Sequence, residues 1–316
     1  MTEQIDVMTL EDRFRSGDER ALARAISLIE SGSANGQRLL QALRVHGGEA
    51  RIIGITGSPG SGKSTLVDRL IGVARERRQR VAVVAVDPTS PFSGGAILGD
   101  RIRMTRHYQD EGVYIRSMAA RGHLGGLAAA TLQVVVLLDA FGFDDILIET
   151  VGVGQSEVDI VQVADTTALV LTPGSGDGVQ AFKAGVMEIA DIFVINKYDQ
   201  PGGERLKREL QGALELAHPK EGDWWPPIHE TVATTGEGAE ALYERIHEHR
   251  RHLERSGGGE ALRKRRARFE ISSSIGEQVR RRVSEQGDAF VEAVLKGELT
   301  VEEAVVRLIR AEQQTK

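Results

Sequence analysis

From residue 51 to about 250 the chain alternates short apolar runs with longer amphipathic stretches. The runs are RIIGIT, RVAVVAV, GVYIR, DDILIE, TTALVLT, DIFVIN and PIHETVA. Several are continuous in Val, Ile and Leu, the pattern of strands buried on both faces. Helical periodicity fills most gaps, as in KSTLVDRLIGVARERR, GLAAATLQVVVLLDAFG and GAEALYERIHEHRRHL. Strand and helix in alternation predict an α/β fold, a mostly parallel sheet flanked by helices. Residues 1–50 read as an N-terminal helical extension, with Ser16 and Glu19 as a capping box ahead of the stripe Leu22, Ile26 and Ile29. Ser256 and the glycines 257–259 predict a flexible break. Residues 256–316 then read as a helical arm, striped by Ile275, Val279 and Val283. A second capping box, Thr300 to Glu303, precedes Val305, Leu308 and Ile309. These apolar stripes lie outside the sheet domain (51–255) and need a cover, either the core itself or a second subunit.

Composition narrows the class. The 316 residues carry 40 Lys plus Arg against 46 Asp plus Glu, a net charge of −6, so no global basic field exists to hold nucleic acid or an anionic membrane. The basic run RKRRAR at 263–268 reads as a solvated helix face. With no cysteine, disulfides, thiolate metal sites and cysteine nucleophiles are excluded. The polar, acid-rich opening has neither a secretion signal nor transit-peptide character, and no apolar run approaches the roughly 20 residues that span a bilayer. A cytoplasmic protein is expected.

The stretch GSPGSGKST at 57–65 fits G-x-x-x-x-G-K-[ST] between a predicted strand and a predicted helix. Backbone N–H groups of Gly60, Ser61, Gly62, Lys63 and Ser64 can converge on a phosphate at a helix N-terminus. Gly57, Ser58 and Thr65 complete the loop, and Pro59, which has no N–H, stiffens it. Lys63 is expected to neutralise β- and γ-oxygens, and the Ser64 hydroxyl to ligate Mg²⁺. Asp87 and Glu149 end predicted strands, so both are expected at the carboxyl edge of the sheet beside this loop. Asp100, in GGAILGDR, is a third candidate for the metal.

Asn196-Lys197-Tyr198-Asp199 follows the strand DIFVIN as N-K-x-D. A carboxylate at Asp199 can accept from both N–H groups on one edge of guanine, a pair that adenine lacks. The later loop VATTGEG, with Val232, Ala233 and Thr234, is expected to offer the Ala233 N–H to the guanine O6. GTP or GDP is thus the expected ligand. In ETVGVGQSE, Val153 follows Gly152, where the Ras-like pattern has a water-orienting glutamine; Gln155 comes two residues later. A valine cannot hydrogen-bond to water, so slow unaided hydrolysis is expected.

Together GSPGSGKST, DPTSPFSGGAILGDRIRM, ETVGVGQSE, TPGSGDGVQAFKAG, NKYD and WWPPIHETVATTGEG resemble the MeaB/ArgK family of G3E-type P-loop GTPases, relatives of the methylmalonic aciduria type A protein. The resemblance covers most of the chain. It implies a homodimeric GTPase, dimerising through its C-terminal arm. The implied role is chaperone of an adenosylcobalamin-dependent acyl-CoA mutase, usually methylmalonyl-CoA mutase, gating cofactor delivery and protecting the enzyme. An adenosyltransferase is a second candidate partner, and no cobalamin is expected to bind this chain directly. Asp87, Asp100 and Glu149 fall where the family places acids around Mg²⁺ or its waters. Gln180 and Lys183 lie in the segment through which the family senses its partner, and with Gln155 are the candidates to complete the catalytic site of Lys63 and Glu149. Tyr198 departs from the family's small residue. Two other classes compete. Metal delivery would use ligand-rich segments, of which only His247, His249 and His252 in ERIHEHRRHLER come near, on a helix that reads as solvated. Phosphotransfer to a small molecule or protein would use the same phosphate loop without a guanine-reading sequence.

Overall fold

The computed structural model describes residues 7–88, 106–107, 109–120, 129–150, 156–174, 190–216 and 222–310. All seven apolar runs form strands: β1 (Arg51–Thr56), β2 (Val81–Pro88), β3 (Val113–Ala120), β4 (Asp145–Thr150), β5 (Thr166–Leu171), β6 (Ile192–Asn196) and β7 (Ile228–Thr231). They make one sheet in the order β3-β2-β4-β1-β5-β6-β7, with every pairing parallel. Parallel strands require crossovers, and helices supply the described ones. β1 lies between β4 and β5, so the chain leaving β1 emerges at the middle of the carboxyl edge. Register sets Ile55 of β1 and Ala85 of β2 level with Glu149 of β4.

On one face α4 (Lys63–Glu76) buries Leu66, Val67, Leu70, Ile71 and Ala74 against Ile53, Ile55, Val81 and Val83. Helix α8 (Ala239–Ser256) adds Leu242, Tyr243 and Ile246 to that cluster. Each fully buried aliphatic side chain contributes about 1.5–3 kcal/mol relative to exposure. Helix α5 (Ala129–Ala140) is apolar all round, with Leu132, Val134, Val135, Leu137 and Leu138 buried. Such a helix needs cover on two sides. It contacts β2 and β4 on one side, and α2 (Glu19–Glu30) and α3 (Ala34–Leu43) on the other. Phe14 of α1 (Val7–Arg15) meets Phe141 edge-on at 5.0 Å, closing the layer. The second cluster joins α7 (Gly203–Glu215) to β5 and β6 through Leu206, Leu210, Phe193 and Ile195.

The predicted caps divide. Thr300 and Glu303 form the expected box, each backbone N–H donating to the other's side chain at 2.9 and 3.1 Å. Ser16 does not cap α2; its hydroxyl donates to the Arg13 carbonyl, and Asp18 accepts from the N–H groups of Arg20 and Ala21. A carboxylate one residue before the first helical turn satisfies those donors with full charge, so it outcompetes the more distant hydroxyl. The break at 256–259 is tighter than a flexible linker. Gly257 takes a left-handed φ of 73° as the cap of α8, and α9 (Gly258–Gln286) starts at the next residue.

The chain divides into two compact units, Met1–Arg266 and Ala267–Lys316. The second contains the end of α9 with α10 (Asp288–Leu295) and α11 (Val301–Arg310). Ala304 and Leu308 are buried there, whereas Ile271, Ile275, Leu295 and Val301 are more than half exposed. Among the described residues no helix is long and apolar enough to cross a membrane.

The amino edge of the sheet is closed by buried acids. Asp145 bonds Arg51 at 2.6 Å and the Tyr243 hydroxyl at 2.5 Å. Asp165 accepts from the Ile52 N–H and from Arg250 and Arg266. The basic run is therefore not a purely solvated face. Arg266 also donates to the Val163 carbonyl and Arg265 to that of Ala164, at the end of α6 (Ser156–Val163). Ligand space is left to the carboxyl edge.

Candidate functional site

The loop between β1 and α4 is shaped by positions where a side chain cannot fit. Gly57 has φ 137°, and a Cβ there would lie 2.1 Å from the Val170 carbonyl oxygen. Gly62 caps α4 in the left-handed region at φ 90°, and its Cβ would meet the Asn196 amide nitrogen at 2.3 Å. L side chains rarely adopt either conformation, so glycine at both is a backbone requirement. Lys63 is buried, and its ammonium donates to the carbonyls of Gly57 (2.6 Å) and Ser58 (2.9 Å), curling the loop over its own helix N-terminus. Pro59, Gly60 and Thr65 are exposed at the rim. Ser61 is buried, and its hydroxyl has no partner among the described residues.

Ser64 donates to the Glu149 carboxylate at 2.5 Å. Glu149 is the penultimate residue of the fully buried β4, with 2% exposure. A hydroxyl and a carboxylate side by side at a helix N-terminus are hard oxygen donors of the kind Mg²⁺ prefers, so the residues present fit that ion. β2 delivers Asp87 to the same edge, two positions beyond the residue level with Glu149. Asp100, Val153, Gln155, Gln180 and Lys183 lie outside the described residues.

The N-K-x-D residues separate into two jobs. Asn196 is buried at the end of β6; its amide donates to the Ser61 carbonyl at 2.7 Å, and its oxygen accepts from the Thr231 hydroxyl and the Ala233 N–H. It thus fastens the phosphate loop to the loop 232–238. Lys197 adopts φ 56° and donates to the Gly60 carbonyl at 2.7 Å, a second tie. Asp199 is exposed at the turn. Tyr198 donates to Glu204 at 2.5 Å and packs on Gly203, where a Cβ would lie 2.9 Å from its ring. The Ala233 N–H, expected to face guanine, donates to Asn196 at 3.0 Å. Val232 and Ala233 are buried and Thr234 is exposed. Sequence pattern missed Arg69 of α4, which donates to the carbonyls of Ala233 (2.9 Å) and Thr234 (2.5 Å).

The two ends described here, a helix-capped glycine loop holding Lys63 and a distant N-K-x-D turn, share one edge. Residues 22–288 match the family described as Methylmalonyl Co-A mutase-associated GTPase MeaB. The chain belongs to the MeaB family. A relative from Pyrococcus abyssi is 48% identical over 93% of this chain and 98% of its own length. The mouse protein named methylmalonic aciduria type A homolog, mitochondrial, is 33% identical over 93% of this chain and 77% of its own. The crystal structure of a LAO/AO transport system kinase covers 99% of this chain and 100% of its own at a TM-score of 0.72 and 24% identity, a likeness of fold. Membership in this GTPase family with a P-loop fold makes the chain a nucleotide-binding GTPase, of a class that typically uses Mg²⁺.

The histidine stretch is not the solvated face its pattern suggests. His249 is buried, its Nδ1 lies 2.9 Å from the Thr166 hydroxyl, and Trp224 packs on it at 4.8 Å. Burial pushes its pKa down to about 4. Nearby Asp191, 3.6 Å away, is pushed up to about 6 by burial. Among the described residues no three acids or histidines are grouped to hold a metal ion. The two shifts oppose each other. Neutral His249 stabilises the fold above its unfolded value of 6.5, and that contribution, about 3 kcal/mol, fades as pH falls toward 4. Asp191 favours the fold when protonated, and its contribution fades as pH rises from 3.8 through about 6. Urea unfolding from pH 4 to 7 should therefore show His249→Gln gaining stability on acidification relative to wild type, and Asp191→Asn losing it. Identical pH profiles for all three proteins would refute this account.

Proposed function

We propose that this chain is a GTP-hydrolysing chaperone of an adenosylcobalamin-dependent acyl-CoA mutase, methylmalonyl-CoA mutase in the first instance, acting as a homodimer. The observation that carries the reading is the match of residues 22–288 to a family described by its association with that mutase, on a chain whose phosphate and base loops are tied together by Asn196. The name of the mouse relative supports the same client. The exposed Ile271, Ile275, Leu295 and Val301 of the second unit support subunit contact through the arm, residues 256–316.

In this reading the loop 57–65 wraps the β-phosphate with its N–H groups, and the helix dipole of α4 adds to the attraction. Lys63, prepositioned by two carbonyls, places its charge on the β- and γ-oxygens. Ser64 and Glu149 would hold Mg²⁺ directly or through water, with Asp87 and Asp100 as further candidate ligands, and the ion would supply neutralising charge to the phosphate oxygens. Asp199 accepts from the guanine edge. Val153 leaves the attacking water without a side-chain partner at its position, so hydrolysis is slow until mutase binding brings Gln155, Gln180 or Lys183 to it. Hydrolysis then times release of the cofactor to the client. Any adenosyltransferase would dock on the same assembly, and cobalamin need not touch this chain. The test is single-turnover GTP hydrolysis with and without purified mutase. A rate at least about tenfold higher with mutase is expected, equivalent to one added transition-state hydrogen bond; an unchanged rate would sink the partner-activated reading.

A further inference from the structure

The residues on either side of the phosphate loop are both bonded to the end of β4. Thr56 ends β1 immediately before Gly57, and Ser64 lies in the first turn of α4. Ser64 donates to Glu149 at 2.5 Å, and the Thr150 hydroxyl donates to that of Thr56 at 3.1 Å. The two contacts lie on opposite faces of the sheet. β1 and β4 run parallel with Ile55 level with Glu149, so the next step along sets Thr56 beside Thr150. Side chains alternate between faces along a strand. Ile53 and Ile55 of β1 and Leu147 of β4 pack in the cluster with α4, which puts Glu149 on that face. Gly54, two residues before Thr56, lies against α6, where an added Cβ would meet the Ile160 side chain at 2.7 Å, so Thr56 and Thr150 share the α6 face. Both threonines are 0% exposed. Valine would fill the same space in a buried strand with no polar group to satisfy, so two hydroxyls paired at this level carry a cost that packing alone does not ask for.

We infer that Thr150 and Thr56 are positioning residues for GTP hydrolysis: their hydroxyl pair pins the point where the chain leaves β4 for Gly152 and Val153 to the point where it enters the phosphate loop. The inference rests on the reading of residues 151–155 as the segment beside the attacking water, and deepens it. Glu149 holds the far end of the loop through Ser64, and Thr150 holds the near end through Thr56, so consecutive residues of one strand clamp the loop at both ends. Misplacing reacting groups by about 1 Å can cost about 100-fold in rate. A pin between these two stretches of chain therefore acts on the rate. Nucleotide affinity comes from elsewhere, from the N–H groups of the loop and from Lys63.

Single-turnover GTP hydrolysis without mutase, GDP affinity and thermal unfolding test this in the full-length protein for Thr150→Val, Thr56→Val, the double variant and Thr150→Ser. Each single valine strands a buried hydroxyl. It should lower the unfolding temperature by about 3–8 °C and the rate about tenfold, the worth of one hydrogen bond, with GDP affinity within about twofold of wild type. The double variant removes both hydroxyls, so it should regain most of the lost stability and stay about tenfold slow. Thr150→Ser keeps the hydroxyl and should hydrolyse GTP at the wild-type rate. A double variant whose rate recovers along with its stability would reduce the pair to packing and overturn the inference. Valine variants that keep the wild-type rate, or that lose rate and GDP affinity together, would overturn it too, as would a serine variant as slow as the valine one. If the single valine variants do not fold, the double and serine variants decide by the same criteria. Wild-type protein that binds GTP and releases no phosphate would remove the hydrolysis reading beneath it, a failure distinct from these.

Discussion

Replacing Lys63 with alanine should lower GTP affinity about 100- to 1,000-fold and leave the fold intact. The magnitude follows from removing one partner of a buried charge pair, about 2–5 kcal/mol. Lys63 is 5% exposed, and its ammonium is seated on the Gly57 and Ser58 carbonyls, within the loop that is expected to receive the phosphates. Lys63→Arg should not restore binding, because a planar guanidinium cannot replace a point charge seated between the Gly57 and Ser58 carbonyls. Equilibrium binding of a fluorescent GTP analogue, with circular dichroism to confirm folding, measures this. A loss of less than tenfold would show that the loop does not grip the phosphates.

The second large effect is at Asp199. The residue is exposed at the end of a turn whose Tyr198 and Lys197 are tied to Glu204 and Gly60. Asp199→Asn should weaken GTP about 100-fold through loss of two charge-assisted bonds. Xanthosine triphosphate, which carries an oxygen where guanine has the N2 amine, should gain affinity because the asparagine amide can donate to it. A variant that keeps its GTP preference and rejects xanthosine triphosphate would place the base elsewhere.

Local pattern carried the strands well: the runs buried on both faces, β1, β4, β5 and β6, are nearly continuous in apolar residues, and all seven runs form parallel strands. The helix GLAAATLQVVVLLDAFG was legible as apolar, though which elements cover it was not. Its two covers, sheet and α2–α3, are tertiary facts. Misreadings came where tertiary contact overrode local chemistry. His249 and the arginines 265 and 266 look solvated by spacing, yet the ends of β5 and α6 supply partners more than 80 residues away. Asp18 beat Ser16 as a cap because charge and proximity outweigh a motif.

The phosphate loop and the N-K-x-D turn were visible as motifs because their backbone geometry demands particular residues in sequence. Their division of labour was not visible. The motif marks Asn196 as part of the base-reading turn and does not announce that its amide donates to the Ser61 carbonyl and its oxygen accepts from Thr231 and Ala233. Arg69 belongs to no motif, and nothing in its neighbours along the chain announces two carbonyls 164 and 165 residues away.

Titration calorimetry of the wild-type protein with non-hydrolysable GTP and ATP analogues, both with Mg²⁺, tests the account most directly. It predicts a preference for the guanine nucleotide of at least about 100-fold, the discrimination expected when paired donors on the base meet a carboxylate built for them. Equal affinities for the two analogues would contradict it.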